Sequence, residues 1–165
     1  GIEADNNEAN NDSTPRAQPI LSNLTIIGRA GDSATQGVLL RRGTGANIWN
    51  SVITGSPTCL TIDGAATFAN AGAPGSLTGS LTIQNSFVNF ADGDDATFTT
   101  SDWFLSQSGN VAGDSLLSGY LPAAGSPLTL GGAAVSDAFF TPVDYSGAFK
   151  DANSDWTKEW TFPFN

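Results

Sequence analysis

The chain has 165 residues and a mass of 16.9 kDa, which at ~150 residues per domain is the size of one domain. Sixteen acidic residues against six basic ones give a net charge of −10, a balance that repels phosphate backbones and anionic membranes and argues against nucleic acid or a membrane surface as partner. Zero histidines and one cysteine exclude Ser-His-Asp and Cys-His catalytic groups, His-containing zinc sites and an internal disulfide.

Residues 1–19 (GIEADNNEANNDSTPRAQP) show no apolar periodicity and read as an extended lead-in. A self-similarity follows, and repeats outrank single elements as evidence of architecture. Leu21–Gly28 (LSNLTIIG), Ile48–Gly55 (IWNSVITG) and Ile83–Phe90 (IQNSFVNF) each place an aliphatic residue two positions before an asparagine, with a short β-type run after it. These asparagines, Asn23, Asn50 and Asn85, lie 27 and 35 residues apart. Between these segments lie Gly37–Gly43 (GVLLRRG) and Thr58–Gly64 (TCLTIDG), two brief β-type runs closed by glycine.

No 12-residue window carries a convincing helical period, so a βαβ fold lacks its crossover helices. A sandwich would want symmetric hairpin turns, which Asp63-Gly64 and Asp92-Gly93 do not supply. A parallel β-helix explains the asparagine column directly, because equivalent strands of successive coils stack on one another. Asparagine tolerates the left-handed corner between two strands, and stacked amides at positions 23, 50 and 85 are expected to satisfy one another. Two columns compete for the core: Ile26/Ile53/Val88 is wholly apolar and Thr25/Val52/Phe87 nearly so. From about Phe98 onward aromatic residues and prolines crowd the chain, as an end cap closing the last coil would require.

The expected fold is therefore all-β: a short right-handed parallel β-helix of about three coils with an aromatic, loop-rich C-terminal cap. Coils span residues 1–98, with 1–19 as lead-in, and the cap spans 99–165 within the same domain. GIEADNNEANNDSTPRAQPILSNLTIIG, GVLLRRGTGANIWNSVITG, LPAAGSPLTLGG and DAFFTPVDYSGAFKDANSDWTKEWTF together resemble the C-terminal part of a bacterial secreted or lipoprotein-type family of right-handed parallel β-helix proteins. The resemblance covers over half the chain. It implies the fold and an exported, extracellular or outer-surface location, and it transfers no activity. Members usually carry more coils ahead of the GIEADN segment, and the chain lacks methionine, so Gly1 looks like a cut inside a solenoid.

Candidate chemistry is sparse. In β-helix polysaccharide lyases an arginine acts as base beside carboxylate-bound calcium, which singles out Arg41-Arg42; the plainer reading pairs these arginines with surface carboxylates. Asp92, Asp94 and Asp95 around Gly93 offer carboxylates to a calcium ion, as does the looser set Glu3, Asp5, Asn6, Asn7, Glu8 and Asp12; neither has EF-hand spacing, and a solvated acidic loop is the preferred reading. Thr25, Thr61, Thr82 and Thr129 do not fall in one column, as an ice-binding face would need, and Cys59 reads as a small core residue. The leading expectation is a non-enzymatic extracellular structural or assembly module, without a cofactor, that self-associates through residues 1–28 head-to-tail into a surface filament. The alternative is a carbohydrate-binding or lyase-like β-helix, calcium-dependent if the aspartates bind, with Trp49 or Trp103 as sugar platforms.

Overall fold

The computed structural model describes residues 1–29, 31, 36–90 and 97–161. Its first coil comprises β1 (Ile2–Asp5), β2 (Ile20–Ser22) and β3 (Thr25–Ile27), its second β4 (Gln36–Arg41), β5 (Asn47–Trp49) and β6 (Val52–Thr54). The third is β7 (Thr58–Ile62), helix α1 (Ala65–Ala71), β8 (Thr82–Gln84) and β9 (Phe87–Val88). Stacking is parallel throughout: β1-β4-β7, β2-β5-β8 and β3-β6-β9 form the three faces of a parallel β-helix. Each repeated asparagine segment is thus two strands bent at the asparagine.

Alternation sets what each strand buries. Val38 and Leu40 on β4 register with Leu60 and Ile62 on β7, and all four are buried in the central core. On the second face Ile48 registers with Ile83, also buried, while Trp49 lies in the neighbouring column with Ser22 and Gln84. On the third face the Ile26/Ile53/Val88 column joins the central core. The rival column also finds cover: Val52 and Phe87 are buried against Leu128 in a second, smaller core.

The start of the chain departs from the expected lead-in. Ile2–Asp5 is the first strand of a face, because its register Ile2↔Val38 and Ala4↔Leu40 lays two apolar side chains on the core. The loop after it is pinned by Asn6, whose Nδ2 donates to the carbonyls of Asn11 (2.9 Å) and Ser13 (3.0 Å) and whose Oδ1 accepts from the amide of Ala17 (2.9 Å).

Two short helices escaped the periodicity test because each is under two turns long. Helix α1 accounts for the longer 35-residue offset, since it is inserted between β7 and β8. Helix α2 (Thr100–Leu105) brings Trp103 and Phe104, both fully buried, over the third coil. The Trp103 indole donates to the Ala71 carbonyl at 2.9 Å, and Phe68 stacks on Phe98 at 4.7 Å between ring centroids.

Parallel stacking then continues past residue 98. β10 (Val111–Ala112) pairs with β9, so a fragment of a fourth coil follows the third. The free edge of β8 is met by side chains: the Ile83 amide donates to Gln107 Oε1 (2.9 Å), and its carbonyl accepts from Asn110 Nδ2 (2.7 Å). The aromatic half of the chain therefore divides. Residues 100–112 close the end of the core, whereas the rest folds back along the side of the coils. That return carries the hairpin β11 (Leu117–Ser118) and β12 (Leu121–Pro122) and a 3-10 turn at Pro127–Leu130.

Candidate functional site

The asparagine column guides the returning segment. Asn23, Asn50 and Asn85 occupy equivalent corners with φ of 57°, 48° and 50°, the left-handed region that asparagine tolerates. A fourth corner follows at Gly109 (φ 71°), where an added Cβ would come within 2.1 Å of Asn85 Oδ1.

The expected bonding of stacked amides to one another gives way to a different arrangement. The rungs are joined one residue further on, by short side chains. The Leu24 amide donates to Ser51 Oγ (3.3 Å), the Ser51 amide to Ser86 Oγ (3.0 Å), and the Ser86 amide to Asn110 Oδ1 (3.0 Å). A left-handed corner leaves its own side chain to reach outward, and the amides at 23 and 50 do so. Asn23 Nδ2 donates to the carbonyls of Tyr145 and Gly147, each at 3.1 Å. Asn50 pairs twice with Ala133, Nδ2 donating to its carbonyl (2.8 Å) and Oδ1 accepting from its amide (2.9 Å). Ser146 Oγ donates to the Asn85 carbonyl (2.9 Å), and the Ala148 amide donates to Thr25 Oγ1 (2.9 Å). Residues 133–148 are thus laced to three successive coils.

This lacing builds a groove. A cavity of about 530 Å³ opens between Thr25 and Ile27 of β3, Gly119 and Tyr120 at the β11–β12 turn, and Phe149, Thr157 and Thr161 of the returning segment. Such a volume lies within the ~300–1,000 Å³ of small-molecule sites. One wall is aromatic: Tyr120 lies 5.4 Å from Phe149, and Phe149 stacks on Trp156 at 5.7 Å with an interplanar angle of 22°. Trp156 is 63% exposed, and its indole donates to the Ala148 carbonyl (2.8 Å), which fixes the ring's orientation.

Behind the groove, Asp155 ties together two of its lining residues, Tyr120 and Thr157. Its Oδ2 accepts from the Tyr120 hydroxyl (2.8 Å), and its Oδ1 from the Thr157 hydroxyl (2.6 Å) and the Thr157 amide (3.0 Å). These donors, Thr157 foremost, hold the Asp155 carboxyl below the ordinary aspartate value.

The residues singled out in sequence lie elsewhere. Arg41 and Arg42 both engage Asp5, Arg41 Nε at 3.1 Å and Arg42 Nη1 at 2.7 Å, while Arg41 also meets Glu3 and Arg42 meets Glu8 at 2.9 Å. Asp5 above all raises the Arg41 pKa, so this guanidinium holds its proton more firmly than usual. Half of the loose N-terminal acidic set is thereby consumed by arginine, and Asp12 pairs with Arg16 (3.1 Å). Asp92, Asp94 and Asp95 fall outside the described residues. Among the described residues no group of three or more His, Cys, Asp or Glu side chains could hold a metal ion. Trp103 is buried and cannot serve as a sugar platform, whereas Trp49 is half-exposed beside Ser22 and Gln84, without an aromatic neighbour in its column. Nothing in the sequence marked the Tyr120–Phe149–Trp156 wall, because its members come from two turns that only the docked segment brings together.

Comparison with known families matches residues 1–161 to the pectate-lyase like beta helix domain. The chain belongs to that family. No curated protein and no solved structure matches it. Among the described residues of this β-helix domain no helix is long and apolar enough to cross a membrane.

Proposed function

We propose that this β-helix is a non-enzymatic carbohydrate-binding module, exported and working outside the cell, whose site is the groove lined by Tyr120 and Phe149, with Trp156 stacked beside it. The observation that carries the reading is the exposed Trp156 ring, held in orientation by its bond to Ala148 and stacked on Phe149, itself a lining residue of the cavity. A sugar ring has an apolar face edged by hydroxyls, and an aromatic plane beside positioned hydrogen-bonding groups matches both parts. Family membership supports the polysaccharide connection, and binding is preferred to β-elimination because Arg41 and Arg42 are both engaged by carboxylates. The export assignment rests on composition and on the resemblance of the sequence to secreted β-helix proteins. Calcium enters as a variable of the experiment, since Asp92, Asp94 and Asp95 are the carboxylates it would use.

The expected filament is a weaker reading. Head-to-tail stacking requires an open coil at both ends, and here α2 with the side chains of Gln107 and Asn110 covers the far one.

The test is binding to a panel of neutral and acidic polysaccharides by affinity electrophoresis and calorimetry, with and without calcium. Retardation by at least one glycan, lost in Trp156→Ala while the urea midpoint of the fold is kept, is expected. Accumulation of unsaturated sugar products would overturn the non-enzymatic assignment, and absence of retardation by every glycan would overturn the site.

A further inference from the structure

We infer that the site takes a run of linked sugars, because Trp160, four residues on from Trp156 in a segment that lines the groove, serves as a second platform. This rests on the glycan reading above and adds that the ligand is a segment of a polysaccharide rather than a single sugar or a disaccharide.

Residues 156–161 (WTKEWT) contain the same pair twice, an exposed tryptophan followed by a threonine. Both threonines, Thr157 and Thr161, line the cavity, so each tryptophan is one peptide bond away from a groove residue. The Thr157 carbonyl draws the segment together, accepting from the Trp160 amide (2.9 Å) and from the Thr161 hydroxyl (3.4 Å). The turn so closed holds Glu159 at φ 74°, a left-handed conformation that glycine takes freely and glutamate does not. Strain of this kind is kept where the geometry it imposes is used, and what it sets here is the placing of Trp160. Trp160 is 85% exposed, and among the described residues no aromatic ring packs on it and no acceptor meets its indole N–H. Trp156, by contrast, stacks on Phe149 and gives its N–H to Ala148. Trp160 therefore has an open ring and a donor to offer a sugar, whose apolar face is edged by hydroxyls. Four residues of chain span at most about 14 Å even when extended, and the turn brings the two tryptophans nearer than that. Two separate rings joined by a short lining segment suit successive sugars of one chain.

The exposure of Trp160 lets it be removed without harm to the fold, which keeps the test clean. Calorimetric titration of the wild-type chain with cello-, xylo- and galacturono-oligosaccharides, each as disaccharide and hexasaccharide, reads the dependence on length directly. In any series that binds, the hexasaccharide is expected to bind at least about tenfold more tightly than the disaccharide, the order one further stacked ring supplies. Trp160→Ala should bring the hexasaccharide down to the affinity of the disaccharide while leaving the disaccharide and the urea midpoint unchanged. Trp160→Phe, which keeps a ring, should restore most of the difference, and Trp156→Ala should weaken both lengths alike. Equal affinity of the wild type for both lengths, or a length dependence that survives Trp160→Ala, overturns the second platform and leaves the groove standing as a glycan site. Loss of the disaccharide in Trp160→Ala to the same extent as in Trp156→Ala would mean that both rings grip one sugar, and overturns the longer run. Binding of none of the three series sinks the glycan reading and this inference with it.

Discussion

Replacing Asn50 by alanine tests the link between the left-handed corner and the docked segment. Two separable things are lost. The backbone at φ 48° becomes unfavourable for a residue with an ordinary Cβ and no local hydrogen bonding, at about 1 kcal/mol. The paired hydrogen bonds to Ala133, at 2.8 and 2.9 Å, also vanish, at about 1 kcal/mol net each. Asn50 is 1% exposed, so water cannot replace them cheaply, and the sum is about 3 kcal/mol. Asn50→Gly restores the backbone freedom and should recover roughly 1 kcal/mol of it. Asn85→Ala is the contrasting case: the returning segment contacts that corner through Ser146 and the Asn85 backbone carbonyl, which alanine keeps, so about 1 kcal/mol is expected. Equilibrium urea unfolding of the three variants against the parent gives these differences at constant m. If Asn50→Ala costs no more than Asn85→Ala, the amides are not what fastens the segment, and the account of how the groove is built is wrong.

Trp103→Ala should cost about 3–5 kcal/mol in the same assay, since it empties a fully buried site and strips the Ala71 carbonyl of its donor. Acid should loosen the returning segment before the coils. Asp155 and Asp151 both have their carboxyls held below the ordinary aspartate value of 3.8, Asp155 foremost by Thr157 and Asp151 foremost by the Asn153 amide. A depressed folded-state pKa contributes stability above that ordinary value, and the contribution is lost as pH falls from 3.8 through the folded value. Tryptophan emission followed from neutral pH downward should therefore shift below that point in the parent and change less steeply in Asp155→Asn; a parent transition centred well above it would contradict the assignment. Asp5→Ala should leave Arg41 and Arg42 without their shared partner and cost about 1 kcal/mol or less, diminishing in high salt because the network is partly open to solvent; a larger, salt-independent loss by urea titration in two ionic strengths would argue for a buried role.

The parallel coils could be read from the chain because they are written locally. An aliphatic residue two positions before an asparagine, repeated three times, encodes both an inward-facing side chain and a left-handed corner, and each needs only its immediate neighbours to be satisfied. The same locality made Arg41-Arg42 and the acidic runs visible, although their partners were settled only by the register of β1 on β4. What the sequence could not disclose was the destination of the aromatic half. Val52 and Phe87 look like core residues, and so they are, but of a second core closed by Leu128, far along the chain. Trp103 and Trp156 look alike in composition, yet one seals the end of the coils and the other stands exposed at the groove. Local pattern fixes which way a strand faces, whereas the return of residues 133–148 depends on hydrogen bonds spanning 61 to 124 positions, and no short-range signal records them. The groove belongs to that second category: its walls are distant segments, and only their docking on the asparagine column makes them one surface.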